Sequence, residues 1–432
     1  MSSTLIQSVH LIDPLGQTER VANVLLAEGQ IQSIDGLTAD EIASLPQPPD
    51  RMIDGSGWVL GPGLIDLYSQ SGEPGHESRE TVQSLLASAR AGGFTRVGIL
   101  PTTVPAVDTP AQVESLLGHR LPDQPQLMPW GALTVGTRGQ QLTELATLAR
   151  CGIVGFSDGQ PLVGAALLKR LLEYGQPLAR PIALWPCDRT WSGLIRDGAD
   201  ALRLGLAGLP ATVETAPLAT LLEQVAETHT PVHIMRVSTA RSVELIRTAK
   251  QRGLPVTASV VWLHLLRNTQ DLFSYDPMLR LDPPLGTPAD QQALIAGLEE
   301  GTIDAIAIDH TAYTYEEKTV AFGEAPPGAI GLELALPLLW RAFVASGRWQ
   351  PWQLWRYLST QPARCLGQPP PTVSAHQPTE LTLFDPEASW QVSPDTLHSR
   401  SSNTSWLGQT IQGRVQQVWL PQPTEREAAI SV

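Results

Sequence analysis

Between residues 61 and 366 the chain alternates, eight times over, a short apolar run with a longer segment, and no other feature narrows its fold so far. The apolar runs are "LIDLYS", "RVGILPT", "LMPWGALT", "IVGFSD", "PIALWPC", "PVHIMRVS", "PVTASVVW" and "IDAIAIDH". Each has the length of a strand buried on both faces, which reads as a hydrophobic run instead of an alternation. The segments between them include "RETVQSLLASARAGG", "GAALLKRLLEYG" and "TARSVELIRTAKQRG", which carry amphipathic helical patterns. The last two end at Gly175 and Gly253, which suits a left-handed helix cap. Eight strand–helix units over about 300 residues predict an α/β fold of the (β/α)8 TIM-barrel type.

The flanks read differently. In residues 1–60, "TLIQSVHLID" is strand-like, "NVLLAEGQIQSID" reads as two strands around a Glu-Gly turn, and "LPQPPD" reads as a loop. Residues 367–432 open on the Pro-rich "GQPPPTVSAHQPTE" and return to strands at "LTLFDP", "WQV" and "GRVQQVWL". The two flanks are expected to join in a small β subdomain beside the barrel.

A net charge of −14 with only three lysines (Lys169, Lys250 and Lys318) excludes a surface that tracks nucleic-acid phosphates, and leaves a small anion served by a few arginines open. Cys151, Cys187 and Cys365 are too scattered for a zinc knuckle and odd in number, so they read as reduced thiols. The start "MSSTLIQSVHLIDP" lacks the basic and apolar regions of a signal peptide, and no apolar stretch approaches the roughly 20 residues of a membrane span. A cytoplasmic protein with no membrane partner is expected.

In such barrels chemistry sits at the C-terminal ends of the strands. Those ends hold Asp66, Tyr68 and Gln70; Pro101 and Thr102; Asp158; Trp185, Cys187 and Asp188; Arg236; Trp262 and His264; Asp309 and His310. A hydrolytic zinc site wants three or more His, Asp or Glu ligands converging on an open position. The best fragment is Asp309 with His310, yet neighbours on a strand point to opposite faces, so only one of them can serve a given site. These aspartates therefore read as hydrogen-bonded or ion-paired groups. There is no nucleophile elbow, P-loop or dinucleotide fingerprint. His76 beside Glu77 reads as a solvated loop pair. The four tryptophans of "LLWRAFVASGRWQPWQLWRYL" read as outer-helix packing, with a partner surface as the alternative.

Over nearly its whole length the chain resembles dihydroorotases of the amidohydrolase superfamily. The resemblance rests on "GPGLIDL", "EPGHESRETV", "AGGFTRV", "GFSDGQP", "VSTARSVELIR", "PPLGTPAD", "EEGTIDAIAIDH", "EEKTVAFGEAPPGAIGLELALPLL" and "NTSWLGQTIQGRV". It implies a metal-dependent hydrolase barrel with a flanking β subdomain, and zinc as the cofactor. It also implies where the ligands should stand, and the chain departs there. Tyr68 and Gln70 replace the first strand's histidine pair, and Trp185 and Arg236 stand where histidines follow strands five and six. Asp158 is the only acid left in the shortened bridging segment, and Asp309 keeps the strand-eight aspartate. Among substrate contacts, Gly72 replaces an arginine, Thr102 an asparagine and Tyr313 a histidine.

Tyrosine at ordinary pH, glutamine and tryptophan are poor or impossible zinc ligands, and a guanidinium has no lone pair to give. Arg236 is expected instead to serve as a fixed counter-charge for Asp309 or Asp158. No lysine near the end of strand four can supply a carbamylated bridge, since Lys169 falls in the following helix. The resemblance is to non-catalytic dihydroorotase-like chains that associate with aspartate transcarbamoylase, so no metal, an oligomeric assembly and that partner are expected. Two alternatives stay open: a cyclic-amide hydrolase with an aberrant metal held by Asp158, Asp309 and His310, and a metabolite sensor using Tyr68, Trp185, Arg236 and Tyr313.

Overall fold

The computed structural model describes residues 3–35, 49–119, 121, 123–161 and 164–421. In chain order the strands are β1 (Thr4–Asp13), β2 (Thr18–Ala27), β3 (Gln30–Ile34), β4 (Arg51–Asp54), β5 (Val59–Pro62), β6 (Leu64–Ser69), β7 (Phe94–Ile99), β8 (Gln126–Gly131), β9 (Gly155–Phe156), β10 (Ala183–Leu184), β11 (Ile195–Arg196), β12 (Gly208–Leu209), β13 (Val232–Ile234), β14 (Val256–Val261), β15 (Ala305–Ala307), β16 (Leu381–Gln391) and β17 (Thr410–Trp419).

The eight apolar runs become β6 to β10 and β13 to β15, all paired in parallel. They form two four-stranded sheets, ordered β6-β7-β8-β9 and β10-β13-β14-β15. Backbone contacts cross both seams between these sheets. At one, Phe156 bridges Ile182 and its N–H donates to the Pro181 carbonyl at 2.8 Å. At the other, Asp309 N donates to Tyr68 O at 3.0 Å and Gln70 N to His310 O at 2.9 Å.

Side chains alternate along these strands as the pleat requires. Ile306 packs with the helices, whereas its neighbours Ala305 and Ala307 join a separate cluster with Ile65, Leu67, Met128, Trp130 and Met235. Within that cluster the Trp130 indole N–H donates to Leu67 O at 2.9 Å, so a large buried aromatic brings its polar atom to a partner.

Strands from both ends of the chain make one seven-stranded sheet, ordered β17-β16-β5-β1-β2-β3 with β4 also on β1. The Glu28-Gly29 turn between β2 and β3 is as expected, with both residues at positive φ. The "LPQPPD" loop lies mostly outside the described residues. "LTLFDP" and "WQV" do not form separate strands. β16 runs through Pro386 because the register jumps between Asp385 and Ser389, and the Asp385 carboxylate takes the N–H groups of Glu387 and Ala388 in the bulge.

Gly253 is left-handed, at φ 77°, but Gly175 is not. There the helix Ala165–Gly175 continues into a tighter turn, and Ala179 takes the left-handed position four residues later. The tryptophan cluster packs inward. Trp349 and Trp355 are buried, Trp349 stacks on Phe343 at 4.0 Å, and Trp355 Nε1 donates to Pro62 O at 3.0 Å. Neither can anchor a partner, because the chain's own β5 and helices already cover them. Among the described residues no helix is long and apolar enough to cross a membrane.

Candidate functional site

The ends of β6, β13 and β15 bring three groups together. Beyond β13, Arg236 adopts φ 55°, and beyond β15, Asp309 adopts φ 52°. The left-handed region is unremarkable for an aspartate and uncommon for an arginine. These two turned backbones face their side chains toward each other. Arg236 Nε and Nη2 donate to the two Asp309 oxygens, each at 2.7 Å, and Nη1 donates to Gly159 O at 2.9 Å. Burial works against the guanidinium charge, and Asp309 more than offsets it, holding the Arg236 pKa above its usual value. The Tyr68 hydroxyl accepts from Arg236 N at 3.2 Å and pairs with Ser259 Oγ at 2.9 Å. Burial raises the phenol's pKa, so it stays protonated at neutral pH.

Trp185 extends this pair into a stack. The Arg236 and Arg189 guanidinium groups both lie over its indole, at 4.5 and 4.6 Å. Arg189 in turn meets Asp282 at 2.5 Å. Two arginine–aspartate pairs thus share one tryptophan, an arrangement in which the positive charges draw on its π-system. Beside the stack lies a pocket of about 140 Å³, lined among others by Gln70, Gln160, His264, Tyr313 and Gly328. That volume suits a ring about the size of benzene.

His264 is buried, with Nε2 3.2 Å from Pro283 O. A carbonyl only accepts, so Nε2 carries the proton, leaving Nδ1 a lone pair with no partner among the described residues. Burial lowers its pKa to about 4, so the ring is neutral.

The residues singled out from sequence divide accordingly. Gln70, Trp185, Arg236, Asp309 and Tyr313 line the pocket, and Tyr68 lies beneath Arg236. Asp158, Gly72 and Thr102 do not line it. The Asp158 carboxylate is buried and accepts from Leu133 N, Thr134 N and Thr134 Oγ1 at 2.6 to 2.9 Å. The ion pair expected of Arg236 therefore falls on Asp309 and not on Asp158. At Gly72 a side chain would meet the carbonyls of His76 and Glu80 at 2.4 Å, so the chain itself fills the space an arginine would need.

His310 points away from Asp309. Its Nδ1 takes the N–H groups of Gly331 and Leu332, and Nε2 donates to Glu80 at 3.2 Å. Glu80 is fully buried. Burial would raise its pKa, but His310, Ser399 and Ser84 outweigh it and hold the carboxylate below its usual range.

Sequence reasoning missed Gln160, Arg189 and Asp282. Asp282 lies just before the matching stretch "PPLGTPAD", and Arg189 follows "WPCD" directly.

This donor set does not fit zinc. The Asp309 oxygens are engaged by a guanidinium, the Asp158 oxygens by the 133–134 backbone and a hydroxyl, and Trp185 offers no lone pair. No grouping of three or more His, Cys, Asp or Glu suited to a metal occurs among the described residues.

Comparison with known proteins places this site in a family. The model of the Dihydro-orotase-like family matches residues 57–241. A relative from Synechocystis sp. named "Probable dihydroorotase-like protein" is 42% identical over 440 residues, covering 94% of this chain and 97% of its own. A dihydroorotase from Pelotomaculum thermopropionicum is 35% identical, covering 95% of each. Among solved structures, L-hydantoinase from Arthrobacter aurescens superposes with a TM-score of 0.83 at 21% identity, covering 98% of this chain and 97% of that one. The D-hydantoinase of Thermus sp. gives 0.77 at 20%, covering 97% and 95%. Fold and near-full-length identity agree: the chain belongs to the dihydroorotase-like family.

Proposed function

We propose that this chain is a dihydroorotase-like protein without the family's hydrolytic chemistry, acting as a structural or regulatory partner of the aspartate transcarbamoylase catalytic chain in pyrimidine biosynthesis, in the cytoplasm and without zinc. Its architecture in this reading is a closed (β/α)8 barrel over 61–366, carried beside a β subdomain built from 1–60 and 367–432. The backbone hydrogen bonds across both seams of the parallel sheets support closure.

The observation that carries the reading is the Arg236–Asp309 pair. A fixed cation binds the strand-eight aspartate with both of its oxygens, where the resemblance places a metal ligand. Without a bound metal, water near neutral pH has lost its main route to a nucleophile, and the protein groups nearby among the described residues are poor substitutes. Tyr68 is held protonated, burial makes the free Nδ1 of His264 a weak base, and His310 is turned to Glu80. A scaffold needs none of these groups to react.

The test uses the purified full chain. Zinc after dialysis should stay below about a tenth of an equivalent, dihydroorotase turnover should be absent, and the chain should co-elute with the transcarbamoylase catalytic chain of the same organism. One or two equivalents of zinc together with turnover would overturn the reading in favour of an active dihydroorotase, the activity that many of the chain's relatives are named for. A second reading, a metabolite sensor, is favoured by the pocket and by the unpartnered His264 Nδ1 beside it. Calorimetry with dihydroorotate and carbamoyl aspartate tests it, and no heat at millimolar ligand removes it.

A further inference from the structure

The connections that follow β10, β14 and β15 carry Trp191, Leu202, Phe273, Tyr275, Tyr315 and Val320, each between 38% and 84% exposed. Tyr174 is the only other exposed large aromatic among the described residues. Scattered single hydrophobes are ordinary on a protein surface, whereas a concentration of aromatics on one face marks an interaction site.

These three connections are one platform. Tyr275 Oη donates to Leu204 O at 2.7 Å, and Thr269 Oγ1 to Asp200 at 2.6 Å, which seats Phe273 and Tyr275 beside the short helix Ala199–Leu204 that carries Leu202. Arg189 meets Asp282 across the next gap. The buried Lys318 amine donates to Pro277 O at 3.0 Å and Pro326 O at 2.8 Å, fastening the third connection to the second. Apolar side chains on a backbone tied in this way lose little freedom on docking, which is where rigid platforms gain affinity.

Charge narrows what the platform can take. Asp197, Glu316 and Glu324 are exposed on it with no basic partner among the described residues. Its arginines Arg189, Arg203 and Arg267 are each paired with an aspartate, and the half-buried Arg280 turns its donors to the Leu281 and Gly193 carbonyls. An apolar face rimmed by uncompensated carboxylates complements an apolar patch rimmed by Lys or Arg, and opposes a second copy of this acidic chain.

We infer that this platform, over the C-terminal ends of the parallel strands, is the docking surface for a basic-rimmed apolar patch on the partner protein. The inference rests on the proposed function, and it places the partner across the mouth of the pocket, away from the tryptophan cluster.

The test measures binding of the full chain to the transcarbamoylase catalytic chain by calorimetry and sedimentation. The variant Leu202→Asp/Tyr315→Asp changes two exposed platform side chains, Met52→Asp and Tyr174→Asp change exposed positions elsewhere, and thermal melts check that all keep their fold. The platform variant is expected to weaken Kd by more than about tenfold, the loss of one or two anchors, with the controls close to the parent. Glu316→Lys/Glu324→Lys is expected to weaken binding at low salt and flatten its salt dependence. A complex that forms with the parent chain and is indifferent to the platform variants overturns this inference and leaves the proposed function standing. Absence of any complex with the parent chain overturns both. A homodimer that the platform variants dissolve also overturns it, in favour of a self-interface.

Discussion

At the scale of single residues, Arg236 shows what a guanidinium does beside a nearly buried aspartate. It neutralises Asp309 with two hydrogen bonds and stacks on Trp185, so its removal leaves a nearly buried carboxylate alone. Arg236→Met is expected to cost about 3–5 kcal/mol, the usual penalty for orphaning a buried charge. Adding Asp309→Asn, which keeps a residue tolerant of the left-handed backbone, is expected to return stability and not subtract more. Urea melts of the two single variants and the double check this, and simple additivity would mean that the pair is not coupled.

Asp66 gives a pH signature. Burial pushes its carboxyl up to about 7 from 3.8, while Ser69 Oγ and Ile308 N pull it back. Between those values the folded chain holds a proton that the unfolded chain has lost, so this group's contribution to stability falls as pH rises from about 4 to 7. Asp66→Asn should flatten that part of the profile. Melting temperatures of parent and variant from pH 4.5 to 8 measure it, and parallel profiles would assign the slope to other groups. Residues at strand ends were legible in the sequence because strand order fixes where they emerge. Arg189 and Asp282 were not, because they meet only after two long connections have folded against each other.

At the scale of elements, hydrophobic runs located all eight strands of the two four-stranded sheets, since a strand buried on both faces has no polar alternation to hide behind. Where the sequence misled, local chemistry was the reason. "DPEAS" reads as a turn, yet the Asp385 carboxylate satisfies the bulged N–H groups and lets β16 continue. Gly175 reads as a cap, yet the chain still has Gln176–Leu178 to wind before it turns. One tight joint between elements is equally invisible in the sequence. A Cβ on Gly61 of β5 would lie 2.1 Å from Trp355 Nε1, the atom that donates to the neighbouring Pro62 carbonyl. Gly61→Ala must push the indole out of register, and is expected to cost about 1–3 kcal/mol for overpacking or more if the hydrogen bond is lost as well. Thermal and urea melts read the cost. A change under about 0.5 kcal/mol, as for an ordinary surface site, would mean that Trp355 can yield.

At the scale of the whole molecule, the general architecture was legible and part of the site was not, for one physical reason. Architecture follows from patterns repeated over hundreds of residues, whereas chemistry depends on a few atoms whose neighbours come from distant connections. The same long-range logic governs stability. The C-terminal strands do more than complete a sheet, because residues just before and within them satisfy groups on the parallel strands. Glu380 takes Arg96 in a nearly buried bidentate pair and also accepts from Thr95 Oγ1, and Thr382 Oγ1 donates to Gly93 O. β16 pairs with β5 along Val59–Pro62, immediately before β6 begins. A chain ending at residue 378 would leave the Arg96 cation without its carboxylate, the Gly63 N–H without the Glu380 carbonyl and one edge of β5 open. Each orphaned polar group costs about 1–3 kcal/mol and the orphaned cation about 3–5, which together rival the whole stability of a typical domain. The truncated chain is therefore expected to lose the cooperative thermal transition of the full chain, and supplying residues 379–432 as a separate peptide should restore part of it. Far-UV and near-UV circular dichroism on heating give the readout. If the truncated chain melts cooperatively within a few degrees of the full one, the parallel strands and their helices are self-sufficient, and the terminal sheet is an addition that the rest of the fold does not need.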